Sequence, residues 1–180
     1  MEVLERVPTT NRITLRLPNQ VLEILKTEAE KKDLPLNALI TKILYKNISF
    51  DLHVKAMPNI TIPHDLFINF IDKIDDSFVE DIAKAGPTTV KKLFKILGIN
   101  YDLDQIIYNY FDMIGKYCEW YQFSHQAKHD KYRLVFNSTL GPKWTKFLAM
   151  YVRSILESLK IRIDEMSIND GLVVFEFSHR

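Results

Sequence analysis

Arg12-Ile13-Thr14-Leu15-Arg16-Leu17-Pro18 is the stretch on which the fold turns. Strict alternation puts Ile13, Leu15 and Leu17 on one face of an extended segment and Arg12, Thr14 and Arg16 on the other, and Pro18 ends it. Two helical patterns follow at once. From Asn19 to Lys32, Val21, Leu22, Leu25 and Ala29 recur at helical spacing, with Glu23, Lys26, Glu30 and Lys31 outward. Asp33-Leu34-Pro35 interrupts the pattern, because proline disfavours helical geometry in the residue before it yet suits a helix start. A second helix is expected from Leu36 to Asn47, with Leu39, Ile40, Ile43 and Leu44 as its apolar stripe. A lone strand has two unpaired edges, and one strand with two short helices cannot enclose a core. The same strand of a second copy supplies the pairing. The expected result is an antiparallel two-stranded ribbon in a homodimer or higher oligomer, its core built from Ile13, Leu15, Leu17, Val21, Leu25, Leu39, Ile40 and Ile43.

A ribbon with Arg12, Thr14 and Arg16 on its polar face fits the major groove of double-stranded DNA. Bulk charge does not drive this reading. Residues 1–50 hold eight Lys and Arg against six Asp and Glu, a local +2, and residues 51–180 hold sixteen against seventeen, a local −1. The argument therefore rests on where a few cations are aimed, doubled by dimerisation. The alternative for the same strand is an amphipathic edge whose arginines are simply solvated.

The order strand, Leu-Pro, helix with an alanine near its end, short turn, and helix opening a Leu-Ile pair resembles the ribbon-helix-helix DNA-binding module of bacterial and archaeal regulators and antitoxins. The resemblance covers residues 12–48. It implies that Arg12, Thr14 and Arg16 read base edges, and that the start of the second helix, at Leu36 and Asn37, holds a phosphate through free backbone N–H groups. Asp33 stands where that family commonly has a turn glycine, and Pro35 where it has a Ser or Thr cap.

Residues 49–62, with Pro58 and then Pro63, read as a linker between a module at 1–48 and a larger domain at 63–180. From Pro63 onward Leu66, Phe67, Phe70, Ile71, Ile74, Phe78, Val79 and Ile82 recur at helical steps. Further helices are expected before Gly98 and before Gly115, each closed by its glycine. The period then changes to two. Glu119 to Gln126 and Tyr132 to Ser138 alternate around a loop at Ala127-Lys128-His129-Asp130. A long helix follows Gly141-Pro142, and Arg162 to Ile168 pairs with Leu172 to Phe177 across Asn169-Asp170-Gly171, a strong turn signal. The fold class is α+β: a dimeric strand-helix-helix module, a helical segment, then a four-stranded antiparallel ββαββ sheet. Residues 63–178, with the Leu140-Gly141-Pro142-Lys143-Trp144 helix start, resemble the broad superfamily of haem-nitric-oxide-binding, vinyl-reductase-type and vesicle-tethering domains, which implies a sensor of a small ligand or partner. Haem itself is not supported, since Tyr132-Arg133-Leu134-Val135-Phe136 lacks the Tyr-x-Ser-x-Arg pattern.

The aromatic series around Tyr108, Phe111, Tyr117, Trp120, Phe123 and Trp144 offers candidates for an apolar ligand pocket, and suits a helix-to-sheet core equally well. His125 and His129 are four apart but fall in a hairpin, so no metal site is expected, and no cofactor. Lys91, Lys92 and Lys95, with Lys143 and Lys146, offer a second basic patch. No nucleophile, paired-carboxylate or Cys/His arrangement stands out, so an enzyme is not expected. The single cysteine, Cys118, rules out an intrachain disulfide framework. No apolar run reaches the length of a membrane span, and Met1 to Arg6 does not read as a secretory signal. The expectation is a cytoplasmic, homodimeric transcription regulator with a ligand-sensing or assembly domain. A protein that uses its N-terminal segment only to dimerise is the alternative.

Overall fold

The computed structural model describes residues 11, 13–52 and 60–179. The chain divides into two compact units, one ending at Asn47 and the other beginning at Ile48.

In the first unit, α1 spans Asn19–Lys31 and α2 spans Leu36–Lys46. Each starts on a proline, Pro18 or Pro35, whose carbonyl accepts the first helical hydrogen bond at 3.1 Å. The end of α1 shows why a glycine is dispensable there. Asp33 adopts φ 50°, its N–H reaches the Glu30 carbonyl at 3.1 Å, and the Leu34 N–H reaches the Ala29 carbonyl at 2.9 Å. This is the Schellman closure, with an aspartate in the left-handed position. The strand expected over 12–18 is not formed: Arg12 lies outside the described residues, and residues 13–18 carry no ladder. A strand exists only through a partner's N–H and C=O groups, and none pairs with this segment among the described residues.

The second unit is mixed helix and sheet. A π-helical turn at Asn47–Asp51 leads in, and Phe50, inside the segment expected to be linker, is buried against Tyr117 at 5.0 Å between ring centroids. Residues 53–59 lie outside the described set. The run after Pro63 breaks at residues 72–75 into α3 (His64–Ile71) and α4 (Asp76–Lys84), and α5 (Gly86–Leu97) ends on Gly98 at φ 66°. Next, α6 (Leu103–Ile106) passes through a π-helical segment at Ile107–Phe111 into α7 (Asp112–Cys118).

Gly115 does not close a helix, contrary to expectation. It lies inside α7, where a Cβ would meet the Tyr121 carbonyl at 3.1 Å and Phe123 Cβ at 3.2 Å, so it permits close approach to the sheet. Glu119, at φ 56°, ends the helix instead.

The strands are β1 (Gln122–Lys128), β2 (Lys131–Asn137), β3 (Ile163–Asn169) and β4 (Leu172–Ser178), with α8 (Pro142–Ser158) between the two hairpins. They form one antiparallel sheet in the order β1-β2-β4-β3. The first hairpin is tighter than expected, turning on His129 and Asp130 alone, with His129 at φ 59°. The second turns on Asp170 and Gly171, at φ 35° and 85°. Gly171 is doubly required, because a Cβ there would stand 2.3 Å from the Ser138 carbonyl.

Register places Phe123, Phe136 and Val173 in one row, and Leu134 and Phe175 in the next. With Phe177 they join Leu148, Val152, Ile155 and Leu156 of α8 in one core. The opposite sheet face carries Arg133 and Glu176, paired across strands at 3.0 Å. Burial on one face and solvation on the other explains the period-two pattern of β1 and β2.

Candidate functional site

In the first unit the described apolar side chains are mostly in solvent. Ala29 and Leu39 are buried, whereas Ile13 is 69%, Leu15 51%, Leu17 37%, Val21 41%, Ile24 58% and Ile43 47% exposed. Leu39, expected in the core between two copies, already belongs to the seam of the single chain. Leu25 and Ile40 are half-buried.

The cations sort themselves by their neighbours. Lys26 pairs with Glu23 at 2.8 Å, and Lys31 and Lys32 pair with Glu28 at 2.9 and 3.9 Å. The hydrogen bond from Lys31 holds the Glu28 carboxyl below the usual glutamate range. Arg16 and Lys42 have no ion-pair partner among the described residues. Thr14 and Arg16 are both exposed, on the side of the alternation opposite Ile13, Leu15 and Leu17.

At the start of α2, Leu36 is half-buried and Asn37 exposed, and no side chain caps the helix. The first-turn N–H groups therefore lack intrahelical acceptors and point out of the helix end. The Asn37 carbonyl accepts from Thr41 Oγ1 at 2.8 Å.

The six ring residues in the second unit fall into separate contacts. Phe111 and Phe123 lie 5.8 Å apart, both against Phe136. Trp120 and Trp144 meet edge to face at 5.1 Å, and Trp144 Nε1 donates to the Trp120 carbonyl at 3.1 Å. Tyr117 packs tilted against Phe50 and shares a hydrogen bond with Ser49 at 3.1 Å. Tyr108 is exposed and meets His125 edge-on at 5.1 Å. The second unit has a groove of about 410 Å³ beside β3, lined by Arg153, Arg162 and Met166 among others, and a cavity of about 30 Å³ bordered by Phe50, Asn109 and Tyr110. None of the six rings lines either one.

Two features escaped the one-dimensional reading. Tyr110 and Tyr151 share a buried hydroxyl–hydroxyl bond, beside Tyr121. Burial pushes Tyr151 up to about 12 and raises Tyr110 and Tyr121 well above the ordinary phenol value. Three lysines of the basic patch also have local roles. Lys143 caps the carbonyls of Asp72 and Ile74, Lys146 pairs with Asp76 and Glu80 at 3.0 and 3.3 Å, and Lys91 lies over the Tyr101 ring at 4.9 Å. Tyrosines at 110 and 151 are far apart in sequence, so no local spacing announces the pair.

Among the described residues no group of three or more His, Cys, Asp or Glu is arranged to hold a metal, and no helix is long and apolar enough to cross a membrane. Compared with known proteins, the chain matches no family and no curated protein.

Proposed function

We propose that the protein is a homodimeric, sequence-specific DNA-binding regulator whose first unit is completed by a second copy. The observation that carries the reading is the exposure of the apolar residues Ile13, Leu15 and Leu17, which alternate in the sequence, and of Val21 and Ile43, on a helix pair that buries only Ala29 and Leu39 among its described residues. Pairing two copies of residues 12–18 satisfies the backbone edges and covers this apolar face in one step. The opposite face then presents Thr14 and Arg16, which has no ion-pair partner among the described residues, twice, with Arg12, to base edges in a major groove, while the start of α2 at Leu36 and Asn37 faces a phosphate. The second unit acts as a sensing or assembly domain.

Selection of random DNA duplexes with the full chain tests this. The expected outcome is enrichment of a two-part site, and loss of that enrichment in Arg16→Ala, with base discrimination falling by about 1–3 kcal/mol per lost contact. Absence of any enriched site favours an N-terminal segment that only dimerises.

A further inference from the structure

The chain enters the second unit through a segment with one buried apolar side chain. Lys46 ends α2, the π-helical turn Asn47–Asp51 follows with no residue between, and the second unit begins at Ile48. Of the apolar side chains at 48–52, Ile48 is 63% and Leu52 52% exposed, whereas Phe50 is 8% exposed. Its ring centroid lies 5.0 Å from that of Tyr117, whose hydroxyl shares the 3.1 Å hydrogen bond with Ser49.

The ring does not fill its seat. A cavity of about 30 Å³ remains beside it, bordered by Leu93 and Leu97 of α5 and by Met113 and Ile114 of α7. The polar residues on the same border have groups engaged elsewhere: Asn109 Nδ2 donates to Gln105 Oε1 at 2.5 Å, and the Tyr110 hydroxyl is bonded to that of Tyr151. Such a lining favours an apolar occupant over water. Slack beside a ring also means fewer dispersion contacts, so displacing Phe50 loses less than drawing out a fully packed ring such as Phe111 or Phe175. Asn109 and Tyr110 belong to the π-helical segment Ile107–Phe111. Uncommon π-helical backbone, which recurs at functional sites, therefore carries both the inserted ring and part of the wall that receives it.

We infer that Phe50 is a releasable clasp: it occupies an apolar pocket of the second unit, and a compact, uncharged apolar ligand that takes the ring's place frees residues 48–52 from α5 and α7. The segment freed is the one through which the chain passes from the first unit into the second, so occupancy of the pocket changes how the two are joined. The seat already holds a benzyl group, and a one-ring hydrocarbon is therefore the simplest probe of it. The inference rests on the sensing role proposed for the second unit and not on DNA binding by the first.

Benzene added to the full chain without DNA tests it, with binding read by ligand-observed NMR and release of the segment by amide hydrogen exchange. Benzene is expected to bind the wild type and to speed exchange at residues 48–52 while leaving β2 and β4 unchanged. Phe50→Ala is expected to bind it about tenfold or more tightly, because no ring has to leave first, at unchanged tryptophan fluorescence. Phe50→Leu, which keeps an apolar side chain in the seat should the alanine variant lose the fold, is expected to lie between the two. Benzoate, the same ring with a charge, is expected to bind none of them. Benzene binding confined to the variants, equal binding to wild type and variants, binding without faster exchange at 48–52, or equal binding of benzoate would each overturn the inference. A failed duplex selection leaves this result standing, and a failure here leaves the DNA reading as it was.

Discussion

The two units treat apolar residues in opposite ways. In the second, Phe111, Leu134, Phe136, Leu148 and Phe175 are wholly removed from solvent, and helices close one face of a sheet whose other face is polar. In the first, Ile13, Leu15 and Ile24 are more than half exposed, and the seam between α1 and α2 hides little beyond an alanine and a leucine. Composition does not separate them, since both contain amphipathic helices of ordinary length. The number of elements does. Four strands and their covering helices can bury each other's apolar faces, whereas two short helices and an unpaired extended segment cannot. The second unit therefore buries a core as one copy, whereas the first leaves most of its described apolar side chains exposed.

The sharpest way to break this contrast is to delete the same kind of side chain from each unit. Phe111→Ala and Phe175→Ala remove rings with 0% exposure, and each is expected to destabilise the second unit by about 4 kcal/mol. Leu15→Ala is expected to leave that unit's stability within about 0.5 kcal/mol of the parent. Urea titration followed by tryptophan fluorescence separates them, because both tryptophans, Trp120 and Trp144, belong to the second unit. A Leu15→Ala loss as large as that of Phe175→Ala would break the contrast.

Alkaline unfolding sharpens it further. Tyr151 is pushed up to about 12 by burial, from an ordinary value of 10.0, so it stays protonated in the folded state where the unfolded chain ionises. Unfolding then releases protons above the ordinary phenol value. The stabilisation is fully present below pH 10 and is lost as pH rises from 10 through about 12, amounting to about 3 kcal/mol for this group. Tyr110 and Tyr121 shift in the same direction and steepen the loss. Denaturant midpoints measured across that range by tryptophan fluorescence should fall, and the fall should be shallower in Tyr151→Phe. A flat profile would remove the buried phenols from the account.

The smallest effect concerns two helix ends closed in the same way. Asp33 and Gly98 both take the left-handed position, at φ 50° and 66°. Asp33→Gly is expected to stabilise the α1–α2 pair by about 0.5 kcal/mol, and Gly98→Asp to cost the second unit a similar amount. Thermal melts by circular dichroism and by tryptophan fluorescence read the two sites separately.

What could be read along the chain was whatever local chemistry decides. Pro18, Pro35 and Gly141-Pro142 mark helix starts because proline fixes φ, and Asp170-Gly171 marks a hairpin because both residues need positive φ. The ββαββ order followed from the change of period. What escaped reading depends on distant neighbours. Gly115 looked like a helix stop until the sheet behind it required its missing Cβ, and Phe50 looked like linker until Tyr117 covered it. For the candidate site, the residue types and alternation at 12–18 were legible, but the pairing of Lys26, Lys31 and Lys32 with glutamates, which singles out Arg16 and Lys42, came only with the folded helices.

The central claim, that the first unit is finished by a second copy, is tested most directly by the mass of the full chain in solution. Light scattering on wild type and on Ile13→Lys/Leu15→Lys should give twice the 21.2 kDa chain mass for the first and a single chain for the second, with unchanged tryptophan fluorescence in both. A wild-type protein that stays at one chain mass at micromolar concentration, or a double variant that remains dimeric, would contradict it.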